Sequence, residues 1–244
     1  MQKNVIFEDE DIIVVYKPAG IATQTARIGQ QDMVSELKNY LAMKPEYKGK
    51  GEPYLGVVHR LDQPVSGLLI FAKNRQAAAE LSRQLTDGRM RKYYYAVIYG
   101  SPKKEQESLE DYLYKEEKTN QSLIVEESFP KAKKAILNYK LVKTLAAFDE
   151  ASSQAGEVSL MEIELVTGRH HQIRAQMSHA DMPLLGDSKY GHQKSKDLSQ
   201  KAGCRNVALC AYKLIVDHPV TKEKKIFVKQ PEGAIFFPFF TKSI

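Results

Sequence analysis

Residues 59–73 constrain the fold more than any other part of this 244-residue chain. The stretch opens with His59, Arg60 and Asp62, turns at Pro64 and Gly67, and continues as an unbroken apolar run over residues 68–72. An apolar run of this length between turn residues is typical of a buried strand. Charged side chains therefore stand beside a core element, and a loop held by such an element suits a functional site.

Two other interpretations of Asp62 need weighing. An aspartate close to a proline often forms a turn, and Arg60 could be its ion partner at the surface, a pair of little energetic or functional weight. Protein kinases carry His-Arg-Asp in a catalytic loop, but Leu61 separates Arg60 from Asp62 here, and the glycine-rich and Asp-Phe-Gly motifs of kinases are absent from the sequence.

Composition sets broad limits on the class of protein. The formal charge of +6 and the sequence pI of about 9.0 suit a partner such as nucleic acid, although many ordinary enzymes are equally basic. Two cysteines, Cys204 and Cys210, are too few for a disulfide framework, which favours a reduced, cytoplasmic compartment. The sequence has no signal-peptide pattern and no apolar stretch long enough to cross a membrane, so we expect a soluble protein.

The remaining sequence predicts alternating strands and helices. We expect a buried strand over residues 11–16, an amphipathic helix over 32–42, a flexible basic loop over 47–53 and a helix capped by Asn74 and Gly88. Residues 101–118 are rich in Lys and Glu and are interpreted as a solvated excursion. Alternating patterns predict further strands over 135–145 and 157–166, and residues 129–134 form a basic run.

A strand over residues 89–100 contains three consecutive tyrosines. Because side chains alternate between the two faces of a strand, Tyr94 is predicted to point away from the face shared by Tyr93 and Tyr95. All three could simply fill a core, since tyrosine favours strands.

A second charged block follows the strand that ends near Val166. Gly168 breaks that strand, and the spacing of Ile173 and Met177 predicts a helix that brings His171, Arg174 and Ser178 together. Cationic side chains are unfavourable at a helix N-terminus unless an anion is near, so the block points to a phosphate or a carboxylate. Metal binding by the histidines is the rival interpretation, but no Glu or Cys lies at a zinc-site spacing.

Three separated blocks resemble the motifs of the RluA-type pseudouridine synthases. The first is His-Arg-Leu-Asp followed by Ser66-Gly67, with Val65 where the family has threonine. The second is Lys92, Tyr94, Ala96 and Gly100, and the third is Thr167-Gly168-Arg169 with His171-Gln172-Ile173-Arg174, where His170 replaces threonine or serine. Lys17-Pro18-x-Gly20, residues 183–187, Tyr190-Gly191 and His218-Pro219 also match.

The resemblance implies roles for individual residues. Asp62 would be the catalytic carboxylate, with Arg174 holding it charged, and Tyr94 would be the active-site tyrosine that takes the C5 proton. The side chains implied to contact RNA are His59, Arg60, Arg169, His171 and Gln172, together with Lys17, which could equally be an ordinary solvated lysine.

The resemblance also implies a fold and an activity. The expected fold is α+β, a mixed, mainly antiparallel sheet with flanking helices and a central basic cleft, forming one catalytic domain over residues 1–244. The expected protein is a cytoplasmic monomer that isomerises uridine in rRNA or tRNA without cofactor, metal or protein partner, and without the N-terminal S4 domain of many relatives. The alternatives are an RNA chaperone on the same scaffold and a metal-dependent hydrolase.

Overall fold

The computed structural model describes residues 2–25, 29–45, 47, 51–146 and 156–241. The predicted basic loop over 47–53 falls partly on residues 48–50, outside the described ranges. The chain divides into two compact units, Met1–Lys92 with Ala211–Gln230, and Tyr93–Cys210 with Pro231–Ile244. We call them the first and second units. The expectation of one catalytic domain over the whole chain stays a prediction.

The first unit is a sheet covered by helices. Its elements follow a short 3-10 helix, Gln2–Asn4, and are β1 (Val5–Glu8), β2 (Ile12–Lys17), α1 (Met33–Ala42), β3 (Gly56–Val57), β4 (Ser66–Ala72), α2 (Arg75–Thr86), most of β10 (Leu209–Asp217) and β11 (Lys224–Val228). Strand order is β1-β2-β4-β10, with β3 beside β4 and β11 beside β10. The predicted strand at 11–16, the helix at 32–42 and the helix capped by Asn74 are confirmed.

The core of the first unit explains why β2 and β4 lack polar alternation. Every residue of both strands is buried. Ile12, Val14, Leu68 and Ile70 pack in one cluster with Leu81 of α2. Burying a large aliphatic side chain contributes about 1.5–3 kcal/mol, so these strands form a firm base for the loop that precedes β4.

Gly67 marks the closest backbone approach in this sheet. Its φ is +127°, and a Cβ at this position would lie 2.4 Å from the backbone N and O of Ala211. Glycine alone fits there, because both the conformation and the space exclude a side chain. The glycine of the signature stretch thus has a structural reason and not a chemical one.

The second unit is a five-stranded antiparallel sheet with helices. Its elements are β5 (Arg91–Tyr99, from Tyr93 on), β6 (Gln106–Glu116), β7 (Gln121–Val125), β8 (Lys133–Ala146), β9 (Glu157–Leu165), α3 (Gln172–His179), α4 (Gln193–Lys201) and α5 (Phe237–Phe240). Strand order is β5-β9-β8-β6-β7. The strands predicted near 135–145 and 157–166 and the helix after Gly168 are confirmed.

The prediction of a solvated excursion at 101–118 is wrong. Residues 106–116 form β6, which pairs with β8 on one side and β7 on the other. Leu109 and Leu113 are four residues apart with Glu110, Asp111 and Tyr112 between them, so no apolar alternation marks this strand in the sequence. Leu113 packs against Ala135 and Ala175 in the core of the unit.

The helices of the described ranges are short. None of them combines the length and the apolar character that a bilayer-crossing segment needs.

Candidate active site

Asp62 lies in the loop that leads into β4, half-buried, with Arg60 exposed beside it. The carbonyl oxygen of Asp62 accepts a hydrogen bond from the N–H of Val65 at 3.0 Å, which closes the turn. Val65 itself is buried, so the position where the family has threonine serves as an apolar contact in this chain. An Asp62–Arg60 pair, considered from the sequence, stays a prediction.

A buried threonine holds the residue before Asp62. The Thr23 hydroxyl donates to the carbonyl of Leu61 at 2.9 Å and accepts from the Leu61 N–H at 3.1 Å. These two hydrogen bonds hold both backbone groups of Leu61 and fix the position of the loop from a residue 38 positions upstream. The backbone on either side of Asp62 therefore has little freedom.

Lys17 holds the same loop from below. Its side chain is fully buried, and its ammonium donates to the carbonyls of Ile21 at 2.7 Å, Pro18 at 3.0 Å and Gln63 at 3.2 Å. The Gly20 N–H adds a bond to Gln63 O at 2.8 Å. The sequence left open whether Lys17 faces a phosphate or solvent. Its burial favours neither a phosphate contact nor a solvated side chain, because the ammonium donates to carbonyl oxygens inside the protein.

His59 is an uncharged residue of the first unit. Its Nε2 accepts from the Ile70 N–H at 3.4 Å, so the proton is on Nδ1. Burial, together with the nearby Lys92 ammonium, lowers the pKa of His59 to about 3. Burial also lowers the pKa of Lys92 to about 8. His59 is therefore neutral at physiological pH and brings no positive charge to the Asp62 loop.

Tyr94 lies on β5 of the second unit and is buried, whereas Tyr93 and Tyr95 are half-buried. Tyr93 pairs with Glu164 and Tyr94 with Ile163, so the predicted alternation is confirmed. The Tyr93 hydroxyl donates to Glu164 at 3.2 Å. Of the three tyrosines, Tyr94 is therefore the one whose side chain lies on the buried face of the sheet.

Arg174 lies in the first turns of α3 and is buried with Asp187. Nε donates to Asp187 Oδ2 at 2.7 Å and Nη2 to Asp187 Oδ1 at 2.8 Å, a bidentate pair with side-chain exposures of 4% and 0%. The guanidinium also lies 5.1 Å from the ring centroid of Tyr190. The expectation that Arg174 holds Asp62 stays a prediction.

Arg169 and His171, which precede α3, differ in exposure. Arg169 is exposed, and its Nε donates to the Lys134 carbonyl at 2.9 Å. His171 is half-buried with φ +50°, stacks on His170 at 3.7 Å between ring centroids, and bonds through Nδ1 to the Tyr190 hydroxyl at 2.9 Å. Both histidine rings are therefore held in fixed positions.

Gln172 is buried in the second unit, and the RNA contact that the resemblance implied for it stays a prediction. It is 2% exposed, its Oε1 accepts from Thr167 and the Arg169 N–H, and its Nε2 donates to Ile136 O and Gln176. All four bonds stay inside the second unit. The residue fixes the turn that presents Arg169, because its amide has no further donor or acceptor to offer at full strength.

A cluster with metal-ligand chemistry lies elsewhere in the first unit. Donor atoms of Asp9, Asp11 and His218 lie within 4.8 Å of one another. His218 Nδ1 accepts from the N–H groups of Val220 and Thr221, so Nε2 carries a proton toward Asp9 at 2.9 Å. Burial alone raises the pKa of Asp9, but bonds from backbone N–H groups and from His218 lower it overall. The arrangement is a hydrogen-bonded anchor.

The open face of the second unit is acidic. A groove of about 440 Å³ there is lined by Tyr93, Lys140, Glu107, Glu162 and Glu164, among others. Three carboxylates against one lysine repel phosphate groups. This groove beside β5, β9 and β8 is thus unfavourable for a polyanion such as RNA.

Two residues of the site carried no assigned role in the sequence. Asp187 belonged to a matching block but had no chemical partner until the structure placed it on Arg174. A lone acidic residue after the apolar residues 183–186 was the available signal. Thr23 had none, because its bond to Leu61 depends on two segments far apart in sequence.

Two solved human proteins share the fold of this chain. A solved human protein, RNA pseudouridylate synthase domain containing 4, superposes with a TM-score of 0.73 over 98% of this chain and 92% of that one, at 20% identity. A second, domain containing 1, gives 0.69 over 93% and 83% at 21% identity. The chain therefore has the α+β fold of pseudouridine synthases, as predicted, and the central basic cleft stays a prediction.

Sequence comparison then gives the family. Residues 11–179 match the profile described as RNA pseudouridylate synthase. An uncharacterized RNA pseudouridine synthase of Aquifex aeolicus is 30% identical over 94% of this chain and 70% of its own length. Ribosomal large subunit pseudouridine synthase D of Zymomonas mobilis is 33% identical over 91% and 67%. tRNA pseudouridine synthase C of Haemophilus ducreyi is 29% identical over 92% of this chain and 89% of its own length.

The chain belongs to the RNA pseudouridylate synthase family. Its resemblance to the RluA-type group, first seen in three motifs, is confirmed by the ribosomal synthases C and D among its relatives. The protein is accordingly an isomerase, an RNA pseudouridine synthase.

Proposed function

We propose that this enzyme isomerises a specific uridine in rRNA or tRNA, with Asp62 as its essential carboxylate. The reaction breaks the bond between ribose C1′ and N1 of uracil and joins C1′ to C5. The C5 proton leaves and N1 takes up a proton. No electron is gained or lost, so the chemistry requires no redox cofactor.

The observation that carries the assignment of Asp62 is the support of its loop. Thr23 binds the carbonyl of Leu61 and Lys17 that of Gln63, the residues on either side of Asp62, while the Asp62 side chain stays half-exposed. A carboxylate in fixed backbone and open to solvent can meet a nucleotide without reorganising the loop.

Arg174 and Tyr94 complete the proposed catalytic set, as the family resemblance implies. A guanidinium near Asp62 keeps the carboxylate charged, and the plane of Arg174 is set by its bidentate bond to Asp187. Tyr94 would take the C5 proton after the new bond forms. Removal of the Tyr94 hydroxyl should therefore slow release of the C5 hydrogen more than it weakens RNA binding.

The substrate uridine has to leave its stack to reach a carboxylate in a loop, at a cost of a few kcal/mol. Arg60 and Arg169 are exposed, and His171 is half-buried and fixed by Tyr190. We assign these three to RNA contacts that place the strand. His59 contributes a neutral ring at most, while Lys17 and Gln172 act as positioning residues within the protein.

The names of the relatives leave two substrate classes. Those of the ribosomal synthases point to large-subunit rRNA, and that of synthase C of Haemophilus ducreyi points to tRNA. We further propose that the protein acts as a cytoplasmic monomer with no required protein partner. Sedimentation with and without bound RNA tests the monomer.

The experiment that tests the function is a pseudouridine map of total RNA from cells with and without the gene. The deletion strain is complemented with the wild-type gene or with Asp62→Ala. We expect one or a few sites to disappear in the deletion, to return with the wild-type gene and to stay absent with Asp62→Ala. Restoration of these sites by Asp62→Ala would overturn the proposal.

The same strains separate the enzyme from an RNA chaperone. If growth defects of the deletion are rescued by Asp62→Ala while the modification is still missing, the protein has a second role that does not need the carboxylate. If the defects persist, the modification itself accounts for them. Purified protein on unmodified transcripts covers the case in which a paralogue modifies the same uridine.

A further inference from the structure

Two consecutive histidines, His170 and His171, precede α3 and stack on one another. Their ring centroids are 3.7 Å apart, and their planes are inclined by 26°. The motif that the sequence resembles has threonine or serine at position 170, and neither of these side chains has a ring that could cover a neighbour. The stack therefore exists because this chain has histidine at this position.

Ser122, a buried residue of β7, fixes the ring of His170. Its hydroxyl donates to the carbonyl oxygen of His170 at 2.5 Å. In its second contact, with Nδ1 of the same residue at 3.0 Å, the serine oxygen must therefore accept, which places the ring proton of His170 on Nδ1. The serine thus holds both the backbone and the ring of His170.

His171 is held at one atom by Tyr190. Its Nδ1 lies 2.9 Å from the Tyr190 hydroxyl, which also accepts from the Ser122 N–H at 2.6 Å. A histidine side chain has two rotatable bonds, and a single hydrogen bond at Nδ1 does not by itself define the plane of the ring. Contact with the face of the His170 ring defines that plane, so the hydrogen bond and the stack together give His171 one orientation.

The backbone of His171 is also constrained. Its φ of +50° lies in the left-handed region, which residues other than glycine occupy at a cost. Such conformations persist where surrounding contacts determine them, and they are frequent where proteins hold ligands. All of these contacts lie within the second unit.

We propose that His170 is a positioning residue for RNA binding, whose ring backs the His171 imidazole and presents it to the RNA in one orientation. This inference rests on the proposed function, in which His171 contacts RNA. A side chain that is oriented before the RNA arrives avoids the entropic cost of being ordered on binding. His170 makes its contribution through His171, so that contribution requires the His171 ring.

The test uses tritium release from total RNA of the deletion strain, labelled with [5-³H]uridine, in single turnovers with enzyme in excess. The enzyme concentration for half-maximal rate reports RNA binding, and the maximal rate reports the chemical step. His170→Asn keeps a nitrogen donor near the position of Nδ1 but has no ring. We expect it to raise the half-maximal concentration about fivefold to tenfold, the effect of losing one oriented hydrogen bond, and to keep the maximal rate within about twofold of the wild type.

His170→Phe is the matched counterpart, because it keeps a flat ring and loses the nitrogen, while Ser122 keeps the backbone carbonyl as its acceptor. We expect its half-maximal concentration to stay within about twofold of the wild-type value. His179→Asn, the same replacement at an exposed histidine of α3, should also leave it unchanged. The inference would be overturned if His170→Asn caused no loss, or if His170→Phe or His179→Asn caused an equal one.

A double variant shows whether His170 acts through its neighbour. If it does, adding His170→Asn to His171→Ala raises the half-maximal concentration no further than His171→Ala alone. Multiplying losses would contradict the proposal. Should His170→Asn fail to fold, His170→Thr takes its place, because threonine is a residue of the motif at this position and also lacks a ring. A wild-type half-maximal concentration for His170→Thr would overturn the inference.

The outcomes also separate this inference from the proposed function. Full tritium release by Asp62→Ala would remove the function on which the inference depends. An inactive Asp62→Ala, together with a wild-type half-maximal concentration for His170→Asn, would leave the function standing and reject the role of His170.

Discussion

The neutral state of His59 predicts a specific loss of stability in acid. Burial and the Lys92 charge lower the pKa of His59 from 6.5 to about 3 in the folded chain. Between these two values the unfolded chain binds the proton and the folded chain does not, so acid favours unfolding. The stability linked to neutral His59 is complete above pH 6.5 and is lost as pH falls toward 3.

The size of this effect follows from linkage. A shift from 6.5 to about 3 corresponds to a loss of about 2.7 kcal/mol between pH 7.5 and 4.5. The ring is not fully enclosed, and solvent screening reduces the expectation to about 2 kcal/mol. His59→Gln keeps a hydrogen-bond acceptor for the Ile70 N–H but cannot titrate. The difference in free energy of unfolding between wild type and variant should therefore shrink by about 2 kcal/mol over that pH range.

Urea unfolding at pH 7.5, 6.5, 5.5 and 4.5 measures this difference. Carboxylates such as Glu8 and Asp9, whose pKa in the folded chain lies below its ordinary value, are common to both proteins, so their contribution cancels in the comparison. His179→Gln, the same replacement at an exposed histidine, controls for the substitution itself. A difference between wild type and His59→Gln that does not change with pH, or that grows in acid, would contradict a buried, neutral His59.

Two further predictions concern the support of the Asp62 loop. Gly67→Ala should lower the free energy of unfolding by about 3 kcal/mol or more, because the added Cβ would clash with the Ala211 backbone at a positive φ. Chemical unfolding measures this loss, and Gly88→Ala, with open space around the added Cβ, is the control. Lys17→Met should cost about 1–3 kcal/mol of stability, because the carbonyls of Pro18 and Ile21 lose the ammonium donor and Gln63 O keeps only its bond from the Gly20 N–H. The slope of log Kd for RNA against log salt should not change. A slope smaller by about one would show that Lys17 contacts a phosphate after all.

The elements that could be predicted from sequence are those whose patterns are local. The unbroken apolar runs of β2 and β4 and the Asn74 cap of α2 depend on residues within one element, and all were recognised. The sequence did not predict β6, because its segment is rich in charged residues and its leucines, Leu109 and Leu113, lie four residues apart. Only its pairing with β8 and β7 determines its structure.

Site residues divide in the same way. The exposure of Arg60 and Arg169 agrees with what their motifs implied. The burial of Lys17 and Gln172 could not be read from the sequence, since both ordinarily favour the surface and are held here by carbonyls from distant segments. The partner of Arg174 in the second unit, Asp187, is 13 residues further along the chain, beyond any helical spacing.

The most direct test of the account is tritium release by purified protein from RNA labelled with [5-³H]uridine, for the wild type and for Asp62→Asn. We expect the wild type to release tritium and to form an equal amount of pseudouridine without added metal or cofactor. Asp62→Asn should bind the same RNA and release none above background. Release by Asp62→Asn at the wild-type rate would contradict the central claim that this carboxylate performs the isomerisation.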